Sequence, residues 1–247
     1  MQAIATAPAP PSRVAGFQKW RDLLFVHWRV AAEDVQRLLP PRLTVASFDG
    51  SAWVGLVAFE MLGVRPWWFP AIPGVSAFLE TNVRTYVTRD GGDPGVWFFS
   101  LDAGNSLAVR VARWRWHLNY HRADLQISRG GERFAYSGRR RGRGISEAAY
   151  AIETFVPAEH PEQTAIAGSL DAFLVERYTM YAQTRQGALL RGQVRHIPYP
   201  LQPATVTSCE QSLVTAAGIP IDGPPDHAAF SAGVDVRILG LRPVREG

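Results

Sequence analysis

The stretch FLETNVRTYV, residues 78–87, sets four chemically capable side chains on alternate positions. Strand alternation sends neighbouring residues to opposite faces. One face then carries Phe78, Glu80, Asn82, Arg84 and Tyr86; the other carries Leu79, Thr81, Val83, Thr85 and Val87. A carboxylate, an amide, a guanidinium and a phenol in one row are the parts of an acid/base or anion-binding site. Same-face residues recur about every 6.6 Å, so Glu80 and Arg84 stand about 13 Å apart along the backbone. A direct pair is strained at that distance. Asn82 between them could bridge both; otherwise each charge needs partners from other strands or a ligand. Periodicity alone favours the polar face as the solvated one, with a row lining an enclosed space as the alternative.

A second concentration is VWFFSLDAGN, where Ser100, Asp102 and Asn105 follow apolar residues at a predicted strand-to-helix junction. A polar helix N-terminus can bind an anion, although a plain N-cap accounts for Asp102 as well. RPWWFPAIPG reads as a loop too apolar to lie free in water, either a core lid or the aromatic wall of a pocket. GRRRGRG, with Arg139, Arg140, Arg141 and Arg143, reads as a solvated turn or hairpin end. The six histidines are scattered. His117 and His121 would share a helical face, but WRWHLNYH reads as strand or irregular backbone, so no metal site is expected. Cys209 reads as a buried, inert thiol. Phosphate-binding glycine loops, H-E-x-x-H and G-x-S-x-G are all absent.

The elements that must position these residues are mostly strands. LLFVHWRV, FLETNVRTYVTR, VWFFSL, AIETFVP and FSAGVDVRILGL have strand character. Asp49-Gly50 and Gly130-Gly131 signal hairpins, as does RQG between YTMYAQT and ALLRGQVRHIP. Short helices are predicted in AAEDVQRLL, DAGNSLAVRVAR, SLDAFLVERY and SCEQSLVTAAG. No βαβ rhythm and no internal repeat is present. The expectation is an α+β fold, a largely antiparallel sheet curled into a barrel or sandwich with a few short helices.

Composition bounds the function. The 247 residues are 47% hydrophobic and 19% charged, enough for a real core. The formal charge is +4, and removing the four arginines of GRRRGRG brings it to zero, so no nucleic-acid footprint is expected. Of 26 basic residues only Lys19 is a lysine, which leaves almost nothing for Schiff-base chemistry. One cysteine excludes an intramolecular disulfide. Residues 1–16 read as a flexible Ala/Pro-rich arm without secretory-signal character, and 17–247 as a single barrel domain. No apolar run is long enough to span a bilayer. A cytoplasmic protein off the membrane, with no cofactor, is the expectation; self-association is left open.

LLFVHWRV…LLPPRLTVASFDGSAWVGLVAFEM, FLETNVRTYV, GVWFFSLDA, FLVERYTMYA, VRHIPYPLQ and FSAGVDVRILGL resemble, in that order over residues 20–242, the YqjF-like family of uncharacterised bacterial proteins. That family is similar in fold to acetoacetate decarboxylase, a largely antiparallel, cone-shaped β-barrel with a central cavity. The resemblance implies that Glu80 matches a cavity glutamate and that Arg29 of HWRV corresponds loosely to an early arginine. The region of the enzyme's lysine pair falls on FFSLDAGN, which holds Ser100, Asp102 and Asn105 and no lysine. Lysine Schiff-base decarboxylation is therefore not expected.

Two readings remain. In one, the barrel is an enzyme, lyase- or hydrolase-like, acting on a small carboxylate-bearing metabolite. Arg84 clamps the anion, Glu80 or Asp102 serves as general acid or base, and Asn82 and Tyr86 orient the substrate. In the other, the same polar cavity only binds a small molecule, as a sensor or carrier. A third, structural use would have Arg113 pair with Glu80 or Asp102 and fill the space.

Overall fold

The computed structural model describes residues 13–105, 118–142 and 148–244. In chain order these form β1 (Gly16–Val30), α1 (Ala32–Gln36), β2 (Leu43–Val45), β3 (Ala52–Pro66), β4 (Phe78–Arg89), β5 (Gly92–Ala103), β6 (Tyr120–Gly130), β7 (Arg133–Arg140) and β8 (Ala149–Phe155). Then come α2 (Leu170–Val175), β9 (Thr179–Gln183), β10 (Leu189–Arg195), β11 (Leu201–Pro203), β12 (Thr205–Gln211), α3 (Leu213–Ala216) and β13 (His227–Pro243).

Seven strands close into a barrel. β5, β9, β10, β13, β1, β3 and β4 follow one another, and β4 pairs back to β5. All neighbours are antiparallel except β5 and β9. Closure removes the edges that so many apolar strands would otherwise expose. β5 forks: Val96 and Trp97 pair with β9, while Leu101–Ala103 pair with β6. From that fork an antiparallel sheet, β6-β7-β8-β12, leaves the barrel.

The branch covers the outside of the barrel wall. Leu24, Val26 and Trp28 of β1, Leu56 and Ala58 of β3, and Val83 of β4 pack with Tyr136, Tyr150 and Ile152 of the branch. Inside the barrel, Leu23 and Phe25 of β1 and Trp53, Val57 and Phe59 of β3 pack with Leu174 and Val175 of α2. β1, β3 and β4 are thus buried on both faces. The Ser169 hydroxyl caps α2 by accepting from the Ala172 amide.

Some local expectations change. Asp90-Gly91 joins β4 to β5 with both residues at positive φ (50° and 74°), the two-residue hairpin turn that favours Asp-Gly. Asp49-Gly50 has the same backbone signs (51° and 78°), yet β2 pairs with β4 and only Phe48 and Ser51 bridge across that turn. SCEQ belongs to β12, so α3 is shorter than SCEQSLVTAAG implied. Most of the helix expected in DAGNSLAVRVAR lies outside the described residues, and Asp102 is in β5, so it is not that helix's N-cap. The RPWWFPAIPG loop is neither core lid nor buried wall: Trp67 and Trp68 are 63% and 66% exposed. Among the described residues, no helix is long and apolar enough to cross a membrane.

Candidate functional site

The even row of β4 faces the barrel interior, against what periodicity alone favours and on the side that the family resemblance implied for Glu80. Glu80, Asn82, Arg84 and Tyr86 are all buried. Glu80, Asn82 and Arg84 sit opposite Phe59, Val57 and Gly55 of β3, on the face that carries the interior core. Thr81, Val83 and Thr85 are equally buried, beneath the branch sheet.

The row divides into two parts. At one end the Tyr120 hydroxyl donates to Glu80 Oε2 at 2.7 Å. Burial raises the Glu80 carboxyl to about 7, against the pull of Tyr120 and Asn82, with nearby Asp102 adding to the rise. Asn82 Oδ1 has no partner, so Asn82 does not bridge on to Arg84. Glu80 and Arg84 form no ion pair, consistent with their spacing along the strand.

At the other end, Arg84 donates to the Leu174 carbonyl of α2 at 2.9 Å, and its Cζ lies 5.6 Å from the Tyr86 ring centroid. Its Cζ lies 5.5 Å from the Phe25 ring centroid, and its Nε has no partner. Arg177, just beyond α2, stacks on Phe173 at 4.6 Å and lies 5.7 Å from the Tyr86 ring. Its Nε is also buried without a partner. Burial pushes its guanidinium down to about 10, still charged at neutral pH, and Arg84 pushes the same way. Neither guanidinium has a carboxylate in ion-pair range among the described residues.

The Tyr86 hydroxyl meets His27 Nε2 at 2.7 Å, His27 Nδ1 meets His227 Nδ1 at 3.0 Å, and His227 Nε2 meets Asp171 Oδ1 at 2.7 Å. The two histidines are register partners on β1 and β13. Gly55 makes room for them: a Cβ there would lie 2.7 Å from His27 Cδ2 and 3.4 Å from the Tyr86 hydroxyl. Gly55→Ala is expected to lower stability by about 1–3 kcal/mol through overpacking. It should also lengthen the His27–Tyr86 bond, checked by urea unfolding and by the histidine ring ¹⁵N shifts.

Four expected site residues go elsewhere. Asp102 and Ser100 project from the opposite face of the barrel wall, toward the branch sheet. Arg140 of β7 donates to Asp102 Oδ1 at 2.8 Å and to Ser100 Oγ at 2.6 Å, all three buried. The parity of β5 explains this: Asp102 pairs with Thr81 and Ser100 with Val83, both on the outer face, while Ala103 pairs with Glu80. Arg140 also corrects the solvated reading of GRRRGRG, though Arg139 and Arg141 are exposed. Arg29 is exposed at the barrel rim, over the Trp53 ring at 5.1 Å. Asn105 donates to the Val75 carbonyl and lines a hollow of about 510 Å³ with Phe78, Leu79 and Gly104. A second hollow, of about 450 Å³, lies on the branch sheet between Arg133, Glu153 and Thr207. Neither is lined by Glu80, Asn82, Arg84 or Tyr86. Arg113 and His117 fall outside the described residues. Lys19 is an exposed residue of β1 rather than one preceding the first strand.

Sequence reasoning missed His27, Arg177, His227 and Asp171. The signal for His27 was present: Leu23, Phe25 and His27 share a strand face, so the histidine follows two core residues inward. Nothing local marks Arg177, whose environment is made by α2 and β4.

Comparison with known proteins gives three findings. A family model described as an uncharacterized conserved protein, DUF2071, matches residues 17–235. The uncharacterized protein YqjF of Bacillus subtilis (strain 168) is 37% identical over 225 residues, covering 91% of this chain and 90% of that one. Among solved structures, an acetoacetate decarboxylase-like enzyme from Sphingomonas wittichii RW1 superimposes with TM-score 0.65 at 16% identity over 98% of both chains. The enduracididine biosynthesis enzyme MppR complexed with pyruvate gives 0.65 at 14% identity, covering 97% of this chain and 92% of that one. Acetoacetate decarboxylase from Legionella pneumophila gives 0.63 at 11% identity, covering 98% and 93%. At these identities the likeness is one of fold, and the closed barrel with its extra strands and, among the described residues, three short helices is acetoacetate-decarboxylase-like.

Proposed function

We propose that this chain, which belongs to the DUF2071 family, holds a small carboxylate-bearing metabolite against Arg84 and Arg177 and acts on it without lysine Schiff-base chemistry. The observation that carries this reading is the pair of buried guanidinium Nε atoms, both without a partner and both beside Tyr86. Two like charges in an apolar setting repel one another and lose hydration, so the site is short of a counter-anion. A carboxylate matches the planar donor fork of arginine in geometry as well as charge.

Three further points support the reading. The sole lysine, Lys19, is exposed, away from the row, which leaves no amine there to condense with a ketone. The fold is shared with MppR, whose structure holds pyruvate. Glu80, raised to about 7, is poised to hold or release a proton near neutral pH, and Asn82 Oδ1 offers a free acceptor beside it. Asp102 and Ser100 take no part, since they face the branch sheet. A non-catalytic sensor is the second reading. Its support is the Arg84 bond to the Leu174 carbonyl, which would couple an anion on Arg84 to the position of α2.

Pyruvate tests the proposal by thermal shift. At tenfold over its dissociation constant, one-site linkage raises the melting temperature by about 3–6 °C in a chain of this size. Arg84→Met and Arg177→Met should each remove the shift; Arg177→Met should leave the melting temperature of the unliganded protein little changed, whereas Arg84→Met should lower it by stranding the Leu174 carbonyl. No shift in the wild type with pyruvate or acetate, against a chloride control, would overturn the reading. So would full shifts in both variants.

A further inference from the structure

We infer that Tyr86 is the catalytic acid/base of this site, and that His27, His227 and Asp171 form a proton relay joining it to the protein surface. The inference rests on the carboxylate reading above and adds the group that would do the chemistry.

Hydrogen-bond partners assign the direction. Asp171 is a carboxylate, held below its usual range by the His227 bond, so His227 Nε2 must carry the proton it donates. In the relay's resting state His227 carries this one ring proton, so its Nδ1 accepts and His27 donates from its own Nδ1. That leaves His27 Nε2 bare, so the Tyr86 O–H donates to it. Every proton in the chain points from the barrel interior toward Asp171. Burial follows the same gradient: His27 and Tyr86 are fully buried, the His227 side chain is 13% exposed and that of Asp171 is 48% exposed.

The charges facing the relay suit it. Arg84 and Arg177 approach Tyr86 from β4 and from the segment after α2, and both favour its ionised form, against burial. Burial above all, with the Arg84 charge adding to it, keeps His27 neutral, as the relay requires. Asp171 of α2 is the anion at the outer end. A Tyr86 hydroxyl with a purely structural duty needs one buried acceptor. Here a second buried imidazole and a half-exposed carboxylate extend the line to solvent, and Gly55 leaves space for the inner ring.

The chemistry this permits is proton removal from carbon next to a carbonyl in a 2-oxo acid. The Tyr86 oxygen takes the C–H proton while its own proton passes to His27 Nε2, and the His27 Nδ1 proton passes to His227 Nδ1. The C–H electron pair becomes the enolate, and the carboxylate stays on the two arginines. Tyr86 and His27 end neutral, and His227 ends as an imidazolium against Asp171. The reverse transfer returns a proton to carbon. No oxidant or second reactant is needed.

Two measurements on the full chain test this. Long-range ¹H–¹⁵N spectra of histidine-labelled protein at pH 7.5 should show His27 protonated at Nδ1 and His227 at Nε2. A His27 protonated at Nε2 would overturn the relay whatever the ligand. Separately, the methyl hydrogens of pyruvate, the smallest carboxylate with a carbonyl-activated C–H, should exchange with D₂O faster than in buffer. Tyr86→Phe and His27→Gln should cut that exchange about 100-fold. His227→Gln should cut it about tenfold while the pyruvate thermal shift remains. Asp171→Asn should move the acidic limb of the exchange profile to lower pH, since the imidazolium loses its anion; a merely structural Asp171 would not move it. Binding without exchange in the wild type, or exchange at the wild-type rate in His227→Gln, would overturn the relay and leave the carboxylate reading standing. Absence of pyruvate binding in the wild type would overturn both.

Discussion

Arg140→Met is expected to lower the unfolding free energy by about 3–5 kcal/mol, the cost of leaving a buried charge without its partner. Asp102 is that charge. Its side chain is 3% exposed, and burial already raises its carboxyl against the pull of Arg140. Removing the guanidinium leaves the carboxylate two choices, to stay ionised in an apolar layer or to take up a proton, and strips Ser100 Oγ of its donor. Both choices cost stability, and the loss should grow with rising pH, where protonation is dearer. Urea denaturation of the variant at pH 6 and pH 8 reads this directly. The double variant Asp102→Leu/Arg140→Met should regain most of the loss, because deleting both members of a buried pair can be nearly neutral. A single variant within about 1 kcal/mol of wild type would show that the pair does not join branch sheet to barrel.

The same pair shows where sequence reading reached its limit. Alternation in FLETNVRTYV correctly separates Glu80, Asn82, Arg84 and Tyr86 from Thr81, Val83 and Thr85. It cannot tell inside from outside, because here neither face is solvent: one lines the barrel and the other lies under β6–β8 and β12. A polar row on a doubly buried strand looks locally like the wet side of a surface strand. GRRRGRG failed for the same reason. Strand parity in β7 turns Arg140 inward with Tyr136, while Arg139 stays out. Resemblance to a barrel family corrected the first error, since it supplied the missing global fact that the Glu80 face is internal. It did not correct the grouping of Asp102 with Glu80. That grouping rested on closeness to a lysine-pair position, and one residue of parity on β5 puts the two carboxylates on opposite sides of the wall. The His27–His227 contact joins residues 200 apart and had no local signal at all.

Glu80→Gln should stabilise the protein at pH 8 and leave it unchanged near pH 4.5. The sign follows from proton counts. Glu80 is raised from 4.5 to about 7 in the folded protein. Between those values the folded state holds a proton that the unfolded chain has released, so stability falls as pH rises across the window. At 1.36 kcal/mol per pH unit the full fall is about 3 kcal/mol, complete above pH 7. Glutamine cannot ionise, and its amide oxygen still accepts from Tyr120, so the variant escapes the fall. The quantity to measure is the difference in unfolding free energy between wild type and Glu80→Gln, since Asp102, Asp171 and His27 titrate alike in both and cancel. A difference that is flat with pH would mean that Glu80 ionises normally, with its charge met by solvent or a cation. A difference that opens between pH 5 and 7 would establish a carboxylic acid held half-protonated at neutrality, four residues along the same face from Arg84. A ligand of the kind proposed, supplying a donor to Glu80 and a carboxylate to Arg84, would lower the cost of ionising the first and meet the charge of the second.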